Sequence, residues 1–334
     1  MVKSSQLVSI IFWGPPGVGK TTIARAIANE DSAHYEEISA IFSGVSDLKK
    51  LLKDLGSEAG VIAKIEKPEA VDCIDAIIEQ ADGIMVARGD LGIEIPAEEV
   101  PFIQKTIIEK CRAVGKPVIT ATQMLDSMIK NPRPTRAETS DVANAVLDGT
   151  DAVMLSGETA AGKYPLESIR AMASVVGEAD TILNSSRSVL KDFVPEGGNY
   201  LDEEMDAIAL SAVRSAKDMN AKVIILITMS GKVARSVAKH NPTVPVLAFC
   251  TDILVARKLQ LYRSIKPMML QTDLCPESEL TRMSFLRAEA VRTAKELGMV
   301  RDGDRIVTID RSKGKDHDTF EFSHNIKLST IKET

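Results

Sequence analysis

The chain has 334 residues, room for about two domains at roughly 100–200 residues each. Hydrophobic residues make up 44% of it, enough to fill a core, which excludes a chain disordered throughout. The formal net charge of -6 argues against a nucleic-acid binder held by phosphate attraction, and no run approaches the roughly 20 apolar residues of a membrane span. The four cysteines, Cys73, Cys111, Cys250 and Cys275, form no CxxC pair, so neither zinc nor a disulfide framework is expected. Leu7–Trp13 is too short for a signal peptide, lacks a small-residue cleavage pattern and leads straight into glycines. A soluble, cytoplasmic protein is expected.

Hydrophobic periodicity predicts alternating strands and helices along the chain. Leu7–Trp13 reads as a strand, Thr21–Asn29 as a helix and Tyr35–Ala40 as a strand. A helix then covers Ser46–Leu55, with Ser46 as its cap. Next come a strand at Val61–Ile65, a helix at Glu69–Gln80, a strand at Gly83–Ala87 and a helix at Ala97–Val114. Pro117–Ala121 is a strand, Arg136–Leu147 a helix, Ala152–Leu155 a strand and Leu166–Ala179 a helix. Such alternation means parallel strands with helices packed outside, and both a barrel and an open sheet fit it. Ser185–Tyr200, with its Ser, Asn, Pro and Gly-Gly, reads as a linker. Beyond it, helices at Met205–Met219, Val233–His240, Ile253–Leu261 and Glu277–Leu297 join strands at Val223–Thr228, Val244–Phe249 and Arg305–Ile309. That is a second, smaller α/β domain, and the polar tail from Arg311 resists assignment.

The run Gly14-Pro15-Pro16-Gly17-Val18-Gly19-Lys20-Thr21-Thr22 fits GxxxxGK[ST] between a predicted strand and a predicted helix. Gly14, Gly17 and Gly19 would let backbone N–H groups close around phosphates at a helix start that favours anions. Lys20 would reach the outer phosphates and Thr21 would hold Mg²⁺. The bland alternative is a glycine-rich turn. The run from Ile10 to Thr22 resembles the Walker A region of AAA+ ATPases of the replication-associated recombination type, and Ser39–Val45 is similar to the stretch beyond Walker A in those proteins. No apolar run ending in Asp-Glu supplies a Walker B pair, so ATP hydrolysis by this segment alone is not expected.

Three predicted strands end in polar groups. Lys64-Ile65-Glu66 closes the first, and residues two apart on a strand point the same way. Arg88-Gly89-Asp90 closes the second and Thr120-Ala121-Thr122-Gln123 the third. In β/α folds functional residues gather at strand carboxyl ends. Two carboxylates and an ammonium converging there suit a Mg²⁺ site for a phosphorylated anion. A structural ion-pair cluster fits the spacing equally well.

The segments Ile62–Lys67, Asp82–Gly92, Ile119–Met128, Asn131–Glu138 and Asp151–Thr159 resemble successive pyruvate kinase motifs, in family order and at family spacing. The resemblance runs from about Ser46 to Ile309. It implies a transfer between phosphoenolpyruvate with ADP and pyruvate with ATP, using Mg²⁺ and K⁺. By that resemblance Lys64 stabilises charge on the phosphoryl group and the enolate oxygen. Glu66 and Asp90 bind the metal, and Gly89, Asp90 and Thr122 contact substrate. Thr228-Met229-Ser230-Gly231-Lys232 resembles the loop that holds the phosphate of an effector, through Thr228, Ser230 and Lys232, while a plain strand–helix turn fits it as well. The four histidines are dispersed and take no role.

The family's K⁺ ligands and nucleotide-contacting groups lie on early barrel strands with no counterpart in this sequence. The expected fold is therefore α/β: a partial (β/α)8 barrel with an N-terminal P-loop βα unit and a second, smaller α/β domain. The divisions are an AAA+-like segment over 1–45, the partial barrel over 46–184, a linker over 185–200 and the C-terminal domain over 201–334. With about six strand–helix units where closure needs eight, a homo-oligomer is expected. Partners are small phosphorylated molecules, with no nucleic acid and no membrane. A pyruvate kinase-type phosphotransferase is the main expectation, open to impairment because the first barrel half and the lid have no counterpart in this sequence. The alternative is a non-catalytic fusion protein that binds Mg²⁺, phosphate or nucleotide.

Overall fold

The computed structural model describes residues 15, 18–30, 35, 44–185, 200–270, 279–313 and 322–332. They fall into two compact units, Met1–Leu51 and Leu52–Thr334. The strand expected at Leu7–Trp13, most of the strand expected at Tyr35–Ala40, nearly all of the linker, and Gly14 and Gly17 lie outside the described residues.

In the first unit, helix α1 runs Lys20–Glu30 and begins directly after Gly19. Gly19 has φ 82°, a left-handed conformation that a side chain would strain. Helix α2 spans Val45–Asp54, so Ser46 sits inside the helix and is not its cap. The Asp47 carboxylate takes the capping part instead, accepting from the Gly44 N–H at 2.8 Å.

The second unit holds two sheets. The first is built from β1 (Ile62–Ile65), β2 (Gly83–Ala87), β3 (Val118–Ala121) and β4 (Ala152–Met154), all parallel and in chain order. These are four of the six strand–helix units expected; the strands of the other two fall on residues 7–13 and 35–40, outside the described residues but for Tyr35. Its helices are α3 (Pro68–Asp72), α4 (Ile74–Gln80), α5 (Arg88–Glu94), α6 (Val100–Ala113), α7 (Arg136–Asp148), α8 (Gly157–Ala160) and α9 (Pro165–Ser185). The register sets Ile65 opposite Val86, Val86 opposite Thr120 and Thr120 opposite Val153, which brings the strand carboxyl ends together. Central strand β2 is almost wholly buried and wholly apolar, as a parallel strand covered on both faces requires.

Local signals set several of these boundaries. A capping box starts α7: the Thr135 hydroxyl accepts from the Glu138 N–H at 3.2 Å, and the Glu138 carboxylate accepts from the Thr135 N–H at 2.7 Å. Gly149, with φ 100°, ends the same helix.

The second sheet has the order β7-β6-β5-β8-β9. Strands β5 (Val223–Thr228), β6 (Val246–Cys250), β7 (Ile265–Met269) and β8 (Arg305–Lys313) are parallel, and β9 (Phe322–Thr330) is antiparallel to β8. Alternate residues of β5 feed two cores. Ile224 and Leu226 pack with the alanine- and valine-rich faces of α10 (Tyr200–Asp218) and α11 (Lys232–Lys239), while Val223 and Ile225 pack with α13 (Glu279–Glu296). Helix α12 (Ile253–Leu259) adds Ala256 and Leu259 to the first core. The seam between the two sheets carries a polar latch. Arg263 donates from its backbone N–H to Asp151 and from its guanidinium to the Val146 carbonyl (2.8 Å) and to Asp180.

Candidate active site

The three polar strand ends meet. Lys64 leaves β1 one residue before its end, and Glu66 follows immediately. Arg88, Gly89 and Asp90 form the first turn of α5, directly after β2. Thr122 follows β3. Lys64 Nζ lies 2.5 Å from Glu66 Oε2 and 2.7 Å from Asp90 Oδ2, so one ammonium bridges two carboxylates carried by adjacent strands. All three side chains are about half exposed, open to a ligand from solvent. Asp90 first, and then Glu66, raises the Lys64 ammonium above its ordinary range, so it stays protonated at neutral pH.

Thr122 and Gln123 have φ of 68° and 53°, a left-handed pair that a β-branched residue adopts only under constraint. The Thr122 hydroxyl accepts from the Gly89 N–H at 2.7 Å and donates to the Ala121 carbonyl at 2.7 Å. The approach is tight enough to explain a glycine. A Cβ on Gly89 would stand 3.2 Å from Thr122 Oγ1 and 3.4 Å from its Cβ.

Two carboxylates already holding one cation suit Mg²⁺. That ion keeps several waters and takes one or two protein carboxylates plus oxygens of its substrate. Among the described residues no group of three or more His, Cys, Asp or Glu could hold a metal on its own. Glu66 and Asp90 could hold such an ion only together with oxygens from outside the protein.

Two further residues organise the site, and the sequence assigns neither of them a role. Glu158 is 1% exposed, and its carboxylate accepts from the Leu125 N–H at 3.0 Å and the Ser156 N–H at 2.8 Å. It ties the loop after β3 to the loop after β4. Arg88, one of the polar strand-end residues, forks its guanidinium onto the Asp141 carboxylate from α7 at 2.7 Å through both terminal nitrogens.

The loop after β5 closes on itself. The Thr228 hydroxyl accepts from the Gly231 N–H at 2.9 Å, and the Ser230 hydroxyl accepts from the Lys232 N–H at 3.4 Å. Gly231, with φ 76°, turns the chain into α11. In the first unit, Lys20 Nζ donates to the Pro15 carbonyl at 2.7 Å. No helix among the described residues is long and apolar enough to cross a membrane.

Residues 38–169 match the pyruvate kinase barrel domain, and residues 206–322 match the pyruvate kinase alpha/beta domain, so the chain belongs to the pyruvate kinase family. The barrel match takes in residues 38–45, which sequence pattern alone places with the P-loop segment, and neither match includes Gly14–Thr22. The chain is 47% identical over 261 residues to a pyruvate kinase of Clostridium acetobutylicum, covering 78% of this chain and 53% of that relative. It is 42% identical over 297 residues to a pyruvate kinase of Trypanoplasma borreli, covering 88% and 57%. The solved structure of Cryptosporidium parvum pyruvate kinase in complex with ADP superposes with a TM-score of 0.73 at 37% identity, over 87% of this chain and 58% of that one. The chain thus spans about half the length of the curated relatives it matches.

Proposed function

With a pyruvate kinase barrel segment and a pyruvate kinase alpha/beta domain on one chain, we propose that the Lys64–Glu66–Asp90 site handles phosphoenolpyruvate and ADP in the pyruvate kinase reaction. The observation that carries the reading is the Lys64 ammonium held between Glu66 and Asp90 at the ends of adjacent parallel strands. The reaction moves a phosphoryl group from the enol oxygen to ADP, and the enolate takes a proton to become pyruvate. Transfers of this kind rest on positioning and charge neutralisation. Glu66 and Asp90 would hold Mg²⁺, which neutralises phosphate charge when bound. Lys64 offers its ammonium to the transferring group and to the enolate oxygen. The Gly89 N–H, Asp90 and the Thr122 hydroxyl orient the substrate. The Gly89 N–H and the Thr122 hydroxyl satisfy each other in this structure, so a substrate carboxylate would replace that hydrogen bond by rotating one side chain.

The finer expectations belong to the same reading. K⁺ serves the reaction through groups supplied from beyond these strands, the protein works in the cytoplasm, and two or more copies assemble. The Thr228–Lys232 loop takes an effector phosphate by exchanging its internal hydrogen bonds. A second reading, a P-loop nucleotide-binding fusion, draws on the left-handed Gly19 ahead of α1 and on the Lys20 contact with Pro15. It predicts ATP binding that Lys20→Ala abolishes.

A coupled pyruvate-release assay with phosphoenolpyruvate, ADP, Mg²⁺ and K⁺ tests the main reading. Turnover by the parent that disappears in Lys64→Met is the expected result. A folded parent without turnover, or a Lys64→Met variant as active as the parent, refutes it.

A further inference from the structure

Arg88 carries more hydrogen bonds than its place at a strand end needs. Its side chain is 10% exposed. Besides the fork onto Asp141, the second N–H of one terminal nitrogen is shared among the Thr122 carbonyl at 3.1 Å, the Gln123 carbonyl at 3.4 Å and the Met124 sulfur at 2.8 Å. The other donates to Gln104 Oε1 at 3.3 Å. Gln104 is itself buried, and its amide nitrogen donates to Asp148 at 3.1 Å, which sets the orientation of the amide. Only Nε–H is left buried with no acceptor.

Two of these acceptors belong to the strained corner. The carbonyls of Thr122 and Gln123 turn toward the guanidinium because both residues are left-handed. The charge-assisted bonds offset the cost of that conformation. The same corner aims the Thr122 hydroxyl at the Gly89 N–H. Gly89 and Asp90 are the next two residues after Arg88, so the backbone ties them to the same anchor. One buried side chain therefore fixes the spacing between the β2 and β3 strand ends, where Gly89, Asp90 and Thr122 lie.

We propose that Arg88 is a positioning residue for substrate binding: it touches no substrate and acts by holding Thr122, Gly89 and Asp90 in register. The proposal rests on the pyruvate kinase reading of the site. Lysine does not replace it, since an ammonium is a point charge that cannot fork onto Asp141 and reach two carbonyls at once.

The test compares the full chain with Arg88→Lys and Arg88→Ala by calorimetry with phosphoenolpyruvate and Mg²⁺. Phosphoenolpyruvate affinity is expected to fall at least about tenfold in both variants, the loss typical of a charged hydrogen-bond donor. Mg²⁺ affinity measured alone should fall by no more than about threefold, less than phosphoenolpyruvate affinity, because Asp90 is only one of the two carboxylates that would hold the ion and Glu66 follows β1, outside the Arg88 contacts. Millimolar methylguanidinium should restore phosphoenolpyruvate binding to Arg88→Ala and not to Arg88→Lys. A purely structural role would lower both affinities and the melting temperature together, without rescue, and would overturn the proposal. So would folded variants that bind phosphoenolpyruvate as the parent does. If Arg88→Ala does not fold, Arg88→Lys decides, since it keeps the charge and most of the volume. If the parent itself fails to bind phosphoenolpyruvate, the functional reading falls. Hydrogen exchange of the Gly89 amide in the ligand-free chain then decides the positioning: faster exchange in Arg88→Lys supports it, and unchanged exchange overturns it.

Discussion

Replacing Lys64 by methionine should tighten divalent-cation binding while it abolishes substrate handling. In the structure the ammonium stands where a cation would, 2.5 Å from Glu66 and 2.7 Å from Asp90. A divalent ion must displace that charge and then sit beside it. Two unit charges at 4 Å in water repel by about 1 kcal/mol, so a unit and a double charge repel by about 2 kcal/mol. The three side chains are about half exposed, so a water-like dielectric is appropriate. Exposed pairs deliver only about 0–1 kcal/mol once side-chain entropy and salt are counted. Taking about 1 kcal/mol as the upper end of that range, removing the ammonium should raise affinity by up to about fivefold. Titration with Mn²⁺ at fixed ionic strength, followed by electron paramagnetic resonance of the free ion without substrate, reads this directly. Lys64→Arg keeps the charge and should show no tightening. Phosphoenolpyruvate affinity should drop in Lys64→Met, so the two ligands move in opposite directions, which damage to the fold would not produce. A Lys64→Met variant that binds Mn²⁺ no better than the parent refutes the reasoning.

Three further outcomes rest on single residues. Glu158→Ala strands the Leu125 and Ser156 N–H groups in a buried place, at about 1–3 kcal/mol each, so the urea midpoint should fall clearly; an unchanged midpoint would mean those donors find water. Burial pushes the Asp151 carboxyl up to about 6, above its ordinary value, despite hydrogen bonds from the Arg263 and Val118 N–H groups. The folded chain then keeps its proton where the unfolded chain has lost it, so stability should decline as pH rises from about 4 to 6 and level off above. Urea midpoints across that range should show this slope in the parent, and Asp151→Asn should remove it. Gly162→Ala places a Cβ 2.3 Å from the Glu158 carbonyl oxygen, a backbone clash that only a shift of the loop relieves, and the variant should melt well below the parent.

How much of the fold is legible in the sequence depends on how far apart the cooperating residues lie. Strands β2 and β5 match their predicted bounds residue for residue, because each is an unbroken apolar run ended by polar residues. Strand β7 escaped notice because Pro267 interrupts it. Proline is tolerated there because β7 is an edge strand, a fact that belongs to the sheet order and not to the segment. Strand β9, with the sequence FSHNIKLST, is polar for the same reason and finds its identity only by pairing antiparallel with β8. Helix α5, RGDLGIE, holds two glycines and no apolar stripe, so its conformation is set by packing rather than propensity.

The same rule divides the candidate active site. Lys64, Glu66 and Asp90 are visible because charged groups at the carboxyl end of an apolar strand stand out within their own segment, and each strand end shows its own. Arg88 and Glu158 do their work across 53 and 33 residues of chain respectively, binding partners that no window of sequence joins. A ligand-facing charge can be inferred from its own segment. A charge that faces the protein has meaning only through the segment it holds, and those residues decide whether the visible ones stand at a working distance. Variants at Arg88 should therefore weaken substrate binding although Lys64, Glu66, Asp90 and Thr122 are all unchanged in sequence.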